Sequence, residues 1–184
     1  MEDLPFPTTT PGGSEEASGE TGSLEHSVGA GEPAKREALR CEILLLEPGD
    51  EKMLNNVAPE VFDREIDLNA AREYLRRECY HLMIAVSDGV VIGFASGVHY
   101  FHPDKPRPEL WINEVGVAPG YWRRQVGTKL VRALLEHGRW LGCGEAWVLT
   151  EASNSAARGL YQSIGGREPS DRAILFTFES EDEK

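Results

Sequence analysis

The sequence is short of basic residues. Its 19 Lys and Arg stand against 31 Asp and Glu, which gives a formal net charge of −12. A protein that binds nucleic acid presents a basic surface to the phosphates, so this balance argues against a nucleic-acid partner. It suits a polycationic small molecule, although acidic surfaces also exist for solubility alone.

Cysteine is also scarce. Cys41, Cys79 and Cys143 are an odd number and lack the spacing of metal ligands. They predict reduced thiols that pack in a cytoplasmic protein, and no metal site.

Long apolar runs are missing from the first forty residues, of which Gly, Pro, Ser and Thr make up eighteen. Such a segment cannot bury enough surface to fold, and it has neither a signal-peptide nor a membrane-anchor pattern. We therefore predict a disordered acidic tail over residues 1–40, one folded domain over residues 41–179 and a short acidic tail over residues 180–184. An overlong start site is the alternative for the first segment.

Hydrophobic periodicity predicts an α/β domain with alternating elements. Asp88-Gly89 is a strong signal for a two-residue hairpin turn. Strands are expected over residues 42–46, 80–86, 90–101, 110–117, 146–150 and 174–178. Helices are expected from Asp50 to about Ala58, over residues 68–77, from Val126 to near Gly142, and from Asn154 onward.

Residues 115–130 join a β-branched strand to a basic turn that opens a long amphipathic helix. The first amides of a helix have no intrahelical acceptors, so such a junction can hold a phosphate or pyrophosphate, here beside Arg123 and Arg124. An ordinary strand-to-helix turn with two solvated arginines is the alternative.

A second motif follows, Asn154-x-x-Ala157-x-x-Leu160-Tyr161-x-x-x-Gly165. It matches the N-x-x-A-x-x-L-Y-x-x-x-G signature of acetyl-CoA-dependent N-acetyltransferases, so the chain resembles the GNAT superfamily. The family's pyrophosphate loop, P-x-Y-x-R-x-G-x-G, has its counterpart at residues 119–127, with Gln125 in place of the first glycine. Residues 62–65 and 108–114 look most like type I aminoglycoside 3-N-acetyltransferases.

The resemblance implies a mixed, mostly antiparallel sheet flanked by helices. Strands 4 and 5 are expected to splay apart after Val117 and after Val148, with acetyl-CoA as cosubstrate in the cleft. The expected cofactor-binding residues are Val115, Val117, Arg123, Arg124, Gln125, Val126, Gly127, Thr128, Asn154 and Ala157.

Acetyl transfer needs a base for the amine and a donor for the departing thiolate. On the predicted strand Leu110, Ile112, Glu114 and Gly116 share one face, so a carboxylate stands where alternation calls for an apolar residue, and we expect Glu114 to be the base. A solvated carboxylate, or one that only binds the substrate, is the alternative. The resemblance places Tyr161 at the thioester sulfur, with a core tyrosine as the alternative. Asn154 is equally suited to cap its helix.

A polycationic amine should meet further carboxylates. Asp63, Glu65 and Asp67 fall in the loop that lines the acceptor site in the family, and the resemblance adds Glu151 and Glu179. Each could be a plain surface charge. His99 is left out of the catalytic set, because a lone strand histidine is more often a packing residue.

The sequence thus predicts a cytoplasmic N-acetyltransferase that acts on an aminoglycoside, at the 3-amino group, as a resistance enzyme. It predicts no nucleic-acid or membrane partner, and a homodimer is a further expectation from the family. The alternatives are acetylation of a protein or peptide amine or of a polyamine, and a CoA-binding module without turnover.

Overall fold

The structure is a computed structural model that describes residues 39–170 and 174–178. Most of the predicted N-terminal tail, the predicted C-terminal tail and Glu179 lie outside the described residues. The elements in chain order are β1 (Glu42–Leu45), a 3-10 helix (Asp50–Asn55), α1 (Leu68–Leu75), β2 (Tyr80–Ser87), β3 (Val90–Tyr100), β4 (Glu109–Val117), a 3-10 turn (Pro119–Tyr121), α2 (Val126–Trp140), β5 (Glu145–Val148) and α3 (Ser155–Ser163).

The five strands form one sheet in the order β1-β2-β3-β4-β5. The first three pairings are antiparallel, and β4 and β5 run parallel. The predicted hairpin between β2 and β3 is confirmed, with φ of 50° at Asp88 and 74° at Gly89, both positive as a type I′ turn requires. The mixed, mostly antiparallel sheet is confirmed with it.

Each face of the sheet has its own apolar core. The long helix α2 buries Val126, Leu130, Val131 and Leu134 against one face, whose strand residues include Ala95, Leu110 and Ile112. The other face packs Ile84 and Phe94 under Leu54, Val61 and Leu75, from the 3-10 helix, the following loop and α1. We refer to these as the α2 face and the α1 face.

A β-bulge in β4 decides which face carries Glu114. Ser96 of β3 lies opposite Glu114, whereas the next residue, Gly97, lies opposite Ile112, so Asn113 is an extra residue on β4. The bulge moves Glu114 to the α1 face, while Ile112 stays in the core of the α2 face. The prediction that Leu110, Ile112, Glu114 and Gly116 share one face is therefore wrong, because strict alternation does not continue through a bulge.

Two other elements differ from the prediction. The helix expected to reach Ala58 is a 3-10 helix that ends at Asn55. The strand expected over residues 174–178 has no strand pairing, and its apolar side chains are exposed, up to 93% at Phe178. β-Branched and aromatic residues favour a strand, but a strand also needs a neighbouring edge to pair with. Among the described helices, none combines the length and the apolar content needed to cross a bilayer.

Candidate functional site

The sheet opens between β4 and β5. Their pairing runs from Glu109 opposite Glu145 to Ile112 opposite Val148, and β4 continues to Val117. In the described part of the chain, residues 113–117 thus have no strand partner on the β5 side. On β5 the pairing ends at Val148, as predicted, and on β4 it ends at the bulge, before Val117, where the opening was predicted.

The loop after β4 is held by its own side chains. The indole N–H of Trp122 donates to the carbonyl oxygen of Val117 at 2.6 Å. The guanidinium of Arg124 lies 6.0 Å from the centre of the Tyr121 ring, and Arg123 is exposed. Sequence reasoning missed the role of Trp122, because nothing local in the sequence signals a bond from an indole to a strand carbonyl.

Gln125 takes a left-handed backbone conformation, with φ of 65° and ψ of 12°. This is the conformation that a glycine adopts freely and that costs other residues about 1–2 kcal/mol. Gln125 therefore keeps the backbone conformation expected of the family's glycine, although it carries a side chain.

The first turn of α2 presents unpaired amides at the cleft. The first intrahelical bond is donated by Lys129 to the carbonyl of Gln125, at 3.0 Å. The N–H groups of Val126, Gly127 and Thr128 precede that bond and have no intrahelical acceptor, so they and the helix dipole favour an anion there. The predicted anion site at this junction fits the observed backbone.

The two sequence motifs meet at Gly127. A Cβ built there would lie 2.8 Å from Cδ1 of Leu160 on α3, so the missing side chain is what lets α3 pack close to α2. Packing against Leu160 is therefore one reason for a glycine at this position, and the predicted close approach of a phosphate is a second. Asn154 caps α3, its Oδ1 accepting from the N–H of Ala157 at 3.0 Å. The capping alternative is thus observed, and the Ala157 amide is occupied by it.

Tyr161 lies on α3 and packs partly buried against the α2-face core. Burial raises the pKa of its phenol, so the group stays protonated at neutral pH. A protonated phenol can donate to a thiolate.

Glu114 and Asp63 come together on the α1 face. The pKa of Glu114 is raised, first by the partial burial of its carboxyl and second by the negative charge of Asp63. A base with a raised pKa accepts a proton more readily near neutral pH. The structure therefore brings the predicted base and one predicted acceptor-site carboxylate into the same electrostatic environment.

Two neighbours of Glu114 were missed by sequence reasoning. Ser96 lies opposite Glu114 on β3 and is 6% exposed. The Tyr74 hydroxyl on α1 donates to the carbonyl of His81 at 3.2 Å, and burial raises the pKa of Tyr74 to about 12, with the charge of Glu114 as a smaller cause. Ser96 could have been found from the sequence, because it is a polar residue between Phe94 and Val98 at the alternate positions of β3.

The remaining predicted carboxylates are not among the charges that act on Glu114. Asp67 caps α1, accepting from the N–H of Asn69 at 2.8 Å, so its side chain already has a structural partner. Glu65 is exposed, and with Asp63 it lines a cavity of 440 Å³ in the loop before α1. Glu151 is exposed after β5 and accepts from the Ser153 hydroxyl at 3.3 Å.

His99 points to the other side of the sheet. Its Nδ1 lies 2.8 Å from Nε2 of His81, whose Nδ1 lies 3.0 Å from Nε2 of His137 on α2. Burial lowers the pKa of His81 to about 4, so His81, the middle member of this row of three histidines, is neutral at pH 7. Because this row is on the α2 face, it is separated by the sheet from Glu114.

Comparison with known proteins identifies a family whose profile spans both sides of this site. The profile of the Acetyltransferase (GNAT) family matches residues 50–165. An aminoglycoside N(6′)-acetyltransferase type 1 of Salmonella typhimurium is 28% identical over 107 residues, which is 56% of this chain and 73% of that protein. The N-alpha-acetyltransferase RimI of Mycobacterium tuberculosis is 33% identical over 85 residues, 46% of this chain and 51% of that protein.

Solved structures share the fold at low identity. The aminoglycoside N-acetyltransferase AAC(6′)-Iy, solved with CoA, superposes with a TM-score of 0.63 at 22% identity, covering 77% of this chain and 96% of that one. The aminoglycoside acetyltransferase HMB0005 from an uncultured soil sample gives a TM-score of 0.66 at 20% identity, covering 78% and 100%. The expected likeness to the 3-N class has no support here, because the aminoglycoside enzymes whose names state a position are 6′ enzymes.

Proposed function

The chain belongs to the acetyltransferase (GNAT) family, with acetyl-CoA as cosubstrate, and from this we propose that it acetylates an amine of an aminoglycoside or a related polycation. The observation that carries the proposal is the arrangement along the end of β4. Unpaired amides of α2 suit the pyrophosphate on one side, and the Glu114 and Asp63 carboxylates suit a cationic acceptor on the other.

The proposed chemistry follows from the two faces of β4. The acceptor amine gives its proton to Glu114, directly or through a water, and its nitrogen then attacks the thioester carbonyl carbon. The backbone N–H of Val117 is assigned to the thioester oxygen, a role that needs no particular side chain. The nitrogen loses its second proton to solvent as the carbon–sulfur bond breaks, and the departing thiolate receives a hydrogen bond or a proton from the Tyr161 phenol, which its raised pKa keeps protonated.

The cosubstrate supplies the activated acetyl group, and the chain supplies its binding. We assign the pyrophosphate to the amides of Val126, Gly127 and Thr128, with the exposed Arg123 and Arg124 as counter-charges. The amide group of Asn154 still has its N–H donors available for the pantetheine arm, since the cap uses only Oδ1.

The acceptor amine is a finer part of the proposal. The curated aminoglycoside relatives act at the 6′ position, so we expect that amine rather than the 3-amino group. A protein α-amine is the second candidate, because the RimI relative is the more identical of the two over its shorter match. Residue roles in the cleft are the same for both acceptors.

The test is thiol release from acetyl-CoA with four acceptors offered separately: kanamycin, gentamicin, spermidine and a peptide with an N-terminal alanine. Release chiefly with the aminoglycosides supports the proposal, and mass analysis of the product then locates the acetyl group. Release with the peptide alone would select the second candidate. If wild type and Tyr161→Phe bind acetyl-CoA equally and neither releases thiol with any acceptor, the chain is a CoA-binding module.

A further inference from the structure

Two tryptophans form a stacked pair beside the candidate acceptor site. Trp111 of β4 lies directly opposite Trp147 of β5 in the parallel pairing. The ring centroids are 5.6 Å apart and the planes differ by 12°. Both residues are only partly buried, so an indole surface remains open to a ligand.

The pair lies on the same face as Glu114. Trp111 is opposite Val98, and Glu114 is opposite Ser96. Since Ser96 and Val98 are two residues apart on β3, they share a face and stand about 7 Å from one another along the strand. The bulge is what aligns Glu114 with the indoles, because without it the carboxylate would point to the α2 face.

The Trp147 indole is held in place before any ligand arrives. The Trp147 indole N–H donates to the Tyr100 hydroxyl at 2.6 Å, and that hydroxyl donates to Glu109 at 2.8 Å. Lys105 pairs with the other oxygen of Glu109 and lowers the pKa of that carboxyl, so it remains an ionised acceptor. A pre-ordered aromatic surface binds with little loss of conformational freedom.

We propose that the Trp111–Trp147 pair is a platform on which a sugar ring of the acceptor stacks while its amine reaches Glu114. A pyranose ring has an apolar C–H face, which the indoles would remove from water. Its ammonium substituents are attracted by the carboxylates of Glu114 and Asp63, as those of a linear polyamine would be, so the indoles contribute only the contact with the ring. The inference rests on the proposed function and specifies its substrate as a ring-bearing amine, in contrast to a linear polyamine.

A purely structural role makes a different prediction. Cross-strand aromatic pairs also stabilise sheets, and losing one on that account alone would lower stability and affect every acceptor alike. The platform instead predicts a loss confined to acceptors that contain a ring.

The experiment is calorimetric binding of kanamycin and of spermidine to the full chain, for wild type, Trp147→Leu and Tyr100→Phe. We expect kanamycin binding to weaken about five- to tenfold in Trp147→Leu, in line with the worth of an aromatic contact, and spermidine binding to stay unchanged. Tyr100→Phe removes the hydroxyl that orients Trp147, keeps the ring, and should give a smaller loss of the same selectivity. Trp140→Leu, at an 80% exposed indole on α2, is the matched control and should alter neither ligand.

The outcomes separate the two proposals. Equal weakening of both ligands, no weakening of either, or a wild type that does not bind kanamycin would overturn the platform. A wild type that binds kanamycin through the indoles but releases no thiol with it would leave the platform standing and reject the proposed acetylation. Thermal unfolding of each variant shows whether a loss of binding is only a loss of fold.

Discussion

The two sides of β4 differ in the groups that form their candidate sites: backbone amides on one side and side chains on the other. Toward α2, Val115 and Val117 pack against the core, and the candidate cofactor site beyond them consists mainly of backbone amides, a glycine and a helix end. Toward α1, Glu114 presents a carboxyl near Asp63, and the indoles lie nearer the start of β4. A backbone site depends on the path of the chain, whereas the acceptor side depends on the identity of each side chain.

This difference predicts how a substitution on each side of β4 should affect activity and stability. On the acceptor side, replacing a functional group should change rate or selectivity with little effect on folding. On the cofactor side, replacing a side chain should matter only where it changes the backbone path or the packing of the helix ends.

The largest expected effect is the loss of the base. Glu114→Gln keeps the shape and removes the proton acceptor, so kcat should fall about 10²- to 10⁴-fold at neutral pH. Its stability should not fall, because the raised pKa means that the ionised carboxylate is disfavoured in the folded state. Steady-state kinetics and thermal unfolding measure both. Glu73→Gln, at an exposed carboxylate paired with Arg76, is the control, and unchanged turnover in Glu114→Gln across pH would remove it as the base.

The next effect tests the packing under the acceptor loop. A Cβ on Gly116 would lie 2.3 Å from the carbonyl oxygen of Val61 and 2.5 Å from the Phe94 ring. A backbone atom cannot rotate away, so Gly116→Ala should cost about 1–3 kcal/mol in the free energy of unfolding and raise the KM for the amine. Gly159→Ala on α3 is the control, because no atom beyond its own stretch of helix lies within 4 Å of the added methyl. Normal stability in Gly116→Ala would show that the loop does not lie so close to β4.

Sequence alone predicted the cofactor side better than the acceptor side. The order of elements from β1 to α3, the Asp88-Gly89 hairpin, and the strand-turn-helix junction at Gln125 follow from local patterns, which is why they were found. The face of Glu114 was not, because a bulge depends on how β3 and β4 pair and not on either strand by itself. Trp111 and Trp147 are far apart in the chain and become neighbours only through the β4–β5 register.

A smaller effect, of opposite sign, is expected in the cofactor loop. Gln125→Gly removes the strain of a side chain at φ 65°, worth about 1–2 kcal/mol, while the added freedom of the unfolded chain returns about 0.5–1 kcal/mol. The net result should be a gain of up to about 1.5 kcal/mol in the free energy of unfolding, measured as a higher melting temperature. Gln125→Ala keeps a Cβ and should show no gain. If both variants are destabilised, the Gln125 side chain has a role that a backbone site does not explain.

The smallest expected effect is a shift in pH dependence. Asp63→Asn removes the second cause of the raised pKa of Glu114 and leaves the first, burial. Glu114 must be ionised to act as a base, so the acidic limb of the profile of kcat/KM against pH should move to lower pH, with less than about a tenfold change in rate at any one pH. For the same reason the folded protein, which loses stability as pH rises through the raised pKa of Glu114, should lose less of it in Asp63→Asn. The position of the limb reports on the base, and its height reports on the amine's binding, so the two roles of Asp63 separate in one experiment. Glu65→Gln should leave the position of the limb unchanged. A limb that stays in place in Asp63→Asn would mean that burial alone sets the pKa of Glu114, and that Asp63 serves only to attract the substrate.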